Sequence, residues 1–110
     1  MIVKISSAIM PQSLFDPYLN RVQATTIPTY KAATGLISVS VFRRLVSGYV
    51  ELLTLTVWQS EQALTRFLQS CPPIKKFSND NGVIHLEPHV YELVASGKGI
   101  PRAAESSQTG

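Results

Sequence analysis

The sequence is poor in the residues that build disulfides and metal centres. Its 110 residues include one cysteine, Cys71, and two histidines. A single cysteine excludes a disulfide within the chain and is typical of a reducing compartment. No Gly-rich phosphate loop, Cys-x-x-Cys pair or Ser-His-Asp spacing is present, so the sequence signatures of nucleotide binding, of redox or metal cysteines and of triad hydrolysis are missing.

Long apolar runs and dense charge are also missing. No run of about 18 apolar residues occurs, which predicts no membrane partner. Ser-Ser interrupts the apolar stretch in 1–10, unlike a secretory signal, and we therefore expect a cytoplasmic protein. Only 15% of the residues are charged. The basic pairs Arg43-Arg44 and Lys75-Lys76 lie apart without interleaved aromatic residues, so no nucleic-acid partner is predicted.

Apolar residues, in contrast, are abundant for so short a chain. They make up 45% of the sequence, and a small domain buries a smaller share of its surface than a large one. The surplus apolar surface predicts a contact between subunits.

The hydrophobic pattern changes period several times along the chain. Residues 2–10 alternate as a strand, and helical spacing follows from Leu14, with Pro28 expected to break or kink that helix. Residues 36–46 and 49–58 alternate again, joined by a hairpin turn at Ser47-Gly48. Ser60 is a predicted N-cap for the next helix, and 83–95 form a last strand in which Pro88 predicts an edge position or a bulge.

The order β-α-β-β-α-β predicts an α+β, ferredoxin-like domain. Its antiparallel four-stranded sheet would carry both helices on one face. We assign 1–95 to this single domain and 96–110, which are small and polar, to a flexible tail. Both faces of 36–58 are largely apolar or hydroxylic, so a second copy is expected to cover the open sheet face and form a homodimer.

One stretch is similar to a known family. The segment "LLTLTVWQSEQALTRFL" (Leu52–Leu68), between "TGLISVSVFRR" and "IHLEPHVYELV", resembles the antibiotic-biosynthesis monooxygenase-like family of dimeric α/β barrels. The resemblance covers about 1–94 and is strongest at the W-x-S-E-x-A corner (Trp58–Ala63), at Gly35 and at Glu87-Pro88. The resemblance implies the fold of a dimeric α/β barrel, a homodimer and a small apolar or aromatic ligand.

The resemblance also implies site residues. Quinone-forming members use an Asn, the corner Trp and a Tyr, and these positions hold Thr54, Trp58 and Leu64. Haem-degrading members use a second Trp and a haem-ligating His, and these positions lie near Phe67 and Phe77. A phenylalanine cannot ligate haem, so no haem or other cofactor is predicted. The implied catalytic residues are therefore Trp58 and Thr54, and the implied substrate-binding residues are Leu64, Phe67 and Phe77.

The two histidines allow a further assignment. His85 and His89 share a face only if the strand between them is regular, and no third ligand accompanies them, so no metal site is predicted. His85 is a candidate general base because an unperturbed imidazole titrates near neutrality. Trp58 has an architectural alternative as a buried anchor whose ring N–H reaches a backbone carbonyl.

Two functions stay open at this point. The first is a cofactor-independent monooxygenase-like enzyme acting on a small aromatic or polyketide-like compound. The second is a non-catalytic small-ligand-binding dimer of the same fold. A cavity without converging polar groups would favour the second.

Overall fold

The computed structural model describes residues 1–70 and 82–99. A 3-10 turn at Gln12–Leu14 and a π-helical segment at Val22–Thr26 flank the first α-helix. The other elements, in chain order, are β1 (Ile2–Pro11), α1 (Phe15–Arg21), α2 (Ile27–Lys31), β2 (Leu36–Val46), β3 (Tyr49–Trp58), α3 (Glu61–Ser70), β4 (Ile84–His85) and β5 (His89–Glu92).

The strands form one antiparallel sheet in the order β2-β3-β1-β4, with β5 also paired to β1. The predicted α+β, ferredoxin-like class is therefore confirmed. The sheet has five strands instead of the four expected, because the last predicted strand is divided into β4 and β5. No helix of the described residues is long and apolar enough to cross a membrane.

A bulge divides the last strand at the predicted position near Pro88. Ala8 pairs with His85 and Ile5 pairs with His89. Three steps along β1 thus match four steps along the last strand, so one extra residue is inserted there. Successive residues of a strand point to opposite faces, and the insertion places His85 on the helix-covered face and His89 on the open face.

Pro28 does not end the first helical segment. It lies in the first turn of α2, directly after the π-helical segment. Proline removes a backbone donor and crowds the preceding turn, and a wider π turn accommodates both effects. Two threonine hydroxyls compensate locally, since Thr25 Oγ1 donates to the Arg21 carbonyl and Thr29 Oγ1 to the Thr25 carbonyl, each at 2.7 Å.

Two hydrophobic clusters fill the space between the sheet and the helices. The first joins β1 and β3 to α1 through Ala8, Met10, Phe15, Tyr18, Val22, Val50 and Leu52. The second joins the end of β3 to α2 and α3 through Tyr30, Trp58, Ala63, Leu64 and Phe67. The predicted N-cap of α3 is confirmed, because Ser60 Oγ accepts a hydrogen bond from the Ala63 amide at 3.2 Å.

Gly35 lets α3 approach the start of β2. Its φ is +89°, and a Cβ built there would lie 2.5 Å from the Ala63 Cβ. We expect Gly35→Ala to lower the free energy of unfolding by about 2–5 kcal/mol. This figure is the sum of the cost of a left-handed backbone and the cost of overpacking against Ala63.

Gly48 provides a matched control for that substitution. Its φ is +83°, but a Cβ there would meet nothing within 4 Å. Gly48→Ala should therefore cost only about 1–2 kcal/mol for the backbone conformation. Equal losses for the two variants in urea unfolding would show that the contact with Ala63 is unimportant.

The open sheet face carries uncovered apolar side chains. Register places Phe42 beside Leu53 and Tyr91 beside Val3 on this face, and both aromatic residues are 53% exposed. Residues 93–99 have no regular structure. Cys71, Phe77 and the predicted tail from 100 onward lie outside the described residues.

Candidate functional site

A cavity of about 340 Å³ lies between the helix-covered face of the sheet and the first helical segment. Strands β1 and β3 form its floor, and the segment from α1 to α2 forms its roof. The residues that line it are Lys4, Ser6, Ser7, Ala8, Tyr18, Val22, Thr26, Tyr30, Leu52, Thr54, His85, Leu86 and Pro88.

Strand alternation orders the polar groups along the floor. Lys4, Ser6 and Ala8 point to the same side of β1 because they are two residues apart. Ser6 pairs with Thr54 on β3, and Ala8 pairs with His85 on β4. At about 3.4 Å per residue, the Lys4 and Ala8 positions are separated by about 14 Å. The Ser6–Thr54 pair therefore lies between a lysine at one end and a histidine at the other.

Lys4 is the buried cation of this cavity. Its side chain is only 9% exposed, and its Nζ donates a hydrogen bond to the Tyr30 hydroxyl at 3.4 Å. Nζ also lies 5.9 Å from the centre of the Tyr30 ring. Burial lowers the pKa of Lys4, because desolvation disfavours the charged form. The lining contains no Asp or Glu from the part of the chain that the structure describes.

Thr26 brings a second polar group to the roof. It is the last residue of the π-helical segment and is 9% exposed. Its Oγ1 is buried without a hydrogen-bond partner among residues 1–70 and 82–99. A buried hydroxyl without a partner is costly, and a ligand that accepts or donates a hydrogen bond there would remove that cost. The π segment therefore places a free hydroxyl on the wall of the cavity.

The structure separates the two histidines. His85 is exposed at the mouth of the cavity, and its ring centre lies 6.2 Å from that of Tyr18. His89 is on the opposite face of the sheet, beside Tyr91. Within the described ranges, no group of three or more His, Cys, Asp or Glu residues could hold a metal ion.

Trp58 is a core residue. It is 0% exposed, and its ring centre lies 5.1 Å from that of Phe67 and 6.3 Å from that of Tyr30. Its Nε1 donates to Thr56 Oγ1 at 2.9 Å, so the acceptor is a hydroxyl and not the expected backbone carbonyl. Among the described residues, the lining of the cavity does not include Trp58.

The predicted substrate-binding residues do not meet at the cavity. Leu64 and Phe67 belong to the second core cluster, and Phe67 stacks on Tyr30 with ring centres 4.9 Å apart. Phe77 lies outside the described residues. Thr54 and His85 do line the cavity. Trp58 and Phe67 pack against Tyr30, which is itself part of the lining.

Sequence reasoning missed Lys4, Ser6, Thr26 and Tyr30. A signal for Lys4 was present, since it is the only charged residue of β1 and shares its strand face with Ala8 and Met10. A charge on the buried face of a strand is rare unless it has a function or a partner. No comparable signal exists for Thr26, because the π segment that positions it could not be read from hydrophobic periodicity.

Comparison with known proteins identifies neighbours by structure. No protein-family model and no curated protein sequence matches the chain. A candidate antibiotic biosynthesis monooxygenase from Deinococcus radiodurans has a TM-score of 0.71 and 16% identity, covering 92% of this chain and 100% of that one. A second candidate of this kind, from Bacillus cereus, has a TM-score of 0.67 and 17% identity, covering 89% of this chain and 97% of that one.

A third neighbour contains bound porphyrin. It is a mutant of MhuD with two manganese protoporphyrin IX molecules in each active site, with a TM-score of 0.65 and 20% identity, covering 90% of this chain and 100% of that one. At these identities the likeness establishes the fold. The chain therefore has the ferredoxin-like fold of the antibiotic-biosynthesis monooxygenase-like proteins, as the sequence resemblance predicted.

Proposed function

We propose that this protein is a cofactor-independent, monooxygenase-like enzyme that acts on a small aromatic or polyketide-like compound in the cavity between β1, β3 and the first helical segment. The fold of its structural neighbours supports this proposal at a coarse level. The cavity supplies the specific support, because a largely apolar space of about 340 Å³ contains several polar groups on adjacent strands and helices.

The convergence of polar groups is the observation that carries the proposal. The hydroxyls of Ser6 and Thr54 lie side by side on the floor, and the amine of Lys4 meets the phenol of Tyr30 at one end. A cavity that only stored an apolar compound would need none of these groups, since buried polar atoms cost free energy unless they bind something.

The chemistry would depend on the electron richness of the substrate. The protein would bind the ring, accept a proton from its hydroxyl and stabilise the resulting oxyanion. Thr54 and Ser6 can donate hydrogen bonds to a second oxygen of the substrate, such as a carbonyl. Lys4 and His85 are the two basic side chains of the described lining. They lie at opposite ends of the Ser6–Thr54 pair, so both would border a ligand bound over that pair.

Haem chemistry does not fit the residues that the resemblance relates to it. The position near the second Trp of the haem-degrading members holds Phe67, a hydrocarbon ring that is packed against Tyr30 and Trp58. We therefore base no step of the proposed reaction on a porphyrin.

Thr54→Val tests the proposed role of the floor. The change preserves shape but removes a hydroxyl, so oxygen uptake with electron-rich hydroquinones or anthrones should fall about tenfold or more, equivalent to about 1.4 kcal/mol of barrier. Thr65→Val, on the exposed surface of α3, should leave the rate unchanged. Absence of oxygen uptake by the wild type across a broad panel of these compounds would contradict the enzymatic proposal.

The alternative is a non-catalytic ligand-binding protein. Thr54 and Leu64 stand where quinone-forming relatives are expected to have Asn and Tyr, and Trp58 lies outside the lining. For this alternative, an aromatic ligand would bind in the cavity and be recovered unchanged, with no oxygen consumed.

We also propose that the protein is a homodimer joined through the open sheet faces. The apolar residues left uncovered on this face support the proposal. A stable interface of this kind buries about 800 Å² on each subunit.

We further propose a cytoplasmic location, for which the single cysteine is the supporting feature.

A further inference from the structure

Among the described residues that line the cavity, Lys4 has no carboxylate partner. Lys4 is buried and hydrogen-bonded to Tyr30, while the other titratable side chains of the described lining are Tyr18, Tyr30 and His85. None of these three is a carboxylate, so the described lining offers no fixed counter-ion to Lys4. A buried ammonium without a counter-ion is unfavourable. The ligand is therefore the natural source of the missing charge.

We infer that the buried Lys4 ammonium binds an acidic hydroxyl of the ligand as its oxyanion and holds it in an ion pair beside Tyr30. The inference rests on the proposed function, since it names the ligand class of the same cavity. In this step the ligand O–H bond breaks, both electrons of that bond stay on the ligand oxygen, and the proton is released to solvent water.

The low charge of the cavity favours entry of a neutral acid. An anion that enters an apolar cavity loses its hydration, whereas a neutral ligand passes this step cheaply. Charge then forms inside, where attraction between close opposite charges is stronger than in water. A carboxylic acid would already be ionised at neutral pH and would have to enter as an anion, so a hydroxyl fits the cavity better.

The acid must be stronger than an ordinary phenol. A simple phenol such as tyrosine has a pKa of about 10 and is therefore mostly protonated at neutral pH. Formation of the ion pair costs less free energy when the ligand hydroxyl is a stronger acid than this. The inferred ligand class is therefore an aromatic or enolic compound whose hydroxyl is conjugated to a carbonyl or an equally electron-withdrawing group.

Binding of 4-nitrophenol tests this inference directly. This probe has a conjugated acidic hydroxyl, and its phenolate absorbs at longer wavelength than its phenol. At a pH where the free probe is mostly protonated, the wild type should bind it as the phenolate. Lys4→Met, which preserves length without the amine, should bind it about tenfold or more weakly, and only as the phenol.

Three controls isolate the role of Lys4. Lys31→Met removes an exposed lysine at the end of α2 and should leave both affinity and ionisation unchanged. The ether 4-nitroanisole, which has no acidic hydroxyl, should bind the wild type and Lys4→Met alike. Lys4→Gln replaces Lys4→Met if circular dichroism shows that the methionine variant is unfolded.

Several results would contradict the role inferred for Lys4. The inference is overturned if the wild type does not bind 4-nitrophenol or binds it only as the phenol. It is equally overturned if Lys4→Met ionises the probe as well as the wild type does. It is also overturned if His85→Gln abolishes ionisation while Lys4→Met preserves it. Because the assay consumes no oxygen, ionised binding without oxygenase activity would reject the proposed function alone, and oxygenase activity with neutral binding would reject this inference alone.

Discussion

Replacing Leu55 with aspartate is expected to dissociate the proposed dimer into monomers. Leu55 lies in the middle of the open sheet face, between Ile5 on β1 and Ser40 on β2. A carboxylate placed there would be buried without a partner in each subunit, at a cost of about 3–5 kcal/mol. Since 1.4 kcal/mol changes an affinity tenfold, the dissociation constant should rise more than about a hundredfold.

Light scattering and sedimentation at micromolar concentration would measure this change. Leu68→Asp is the matched control, because Leu68 is already 50% exposed on α3, away from the sheet. It should leave the assembly unchanged. A wild type that is monomeric at micromolar concentration, or a Leu55→Asp protein that stays dimeric, would contradict the sheet-to-sheet interface.

The second large effect is expected at Trp58. Trp58→Ala should lower the free energy of unfolding by about 3–5 kcal/mol, as other buried large-to-small changes do. The indole is completely buried and packs against Phe67 and Tyr30. Its removal would leave a cavity that neighbouring rings cannot fill without losing their own stacking contact.

Trp58→Phe separates packing from hydrogen bonding. Phenylalanine retains an aromatic ring but loses the Nε1–H that donates to Thr56 Oγ1. We expect a smaller loss of about 1–2 kcal/mol. Urea unfolding followed by circular dichroism measures both variants. Equal losses for the two variants would show that the hydrogen bond dominates, and a small loss for Trp58→Ala would contradict the role of Trp58 as a core anchor.

Much of the fold could be predicted because local signals agree with the tertiary arrangement. Alternation identified β2 and β3, and Ser47-Gly48 identified the hairpin, where both residues have positive φ of 49° and 83°. Ser60 identified the start of α3. Pro88 identified the bulge because proline cannot donate to a ladder. These features depend on the residues themselves and not on distant contacts.

The first helical segment was harder to predict. Pro28 was expected to break or kink the helix, yet the chain remains helical through a π segment. Whether a proline ends a helix or is absorbed depends on the hydroxyls and tertiary packing around it. That same segment positions Thr26 at the cavity, so this part of the site also could not be predicted.

The candidate site was predicted only in part, for a related reason. Thr54 and His85 line the cavity, because strand register brings their backbone positions there. Trp58 is on the same face of β3 as Thr54, but it lies at the end of the strand, where α3 and Tyr30 cover it. Strand position determines which face a side chain points to, while the helices above determine whether a cavity or a core lies there.

A crystal structure with a bound aromatic compound whose hydroxyl is conjugated to a carbonyl tests the central claim most directly, namely that the cavity between β1, β3 and the first helical segment is the functional site. We predict that the aromatic ring lies over the Ser6–Thr54 pair, with its hydroxyl oxygen beside Lys4. A ligand found instead in the apolar groove between α1 and β2, next to Phe15 and Ile27, with the cavity beside Lys4 unoccupied, would contradict the account.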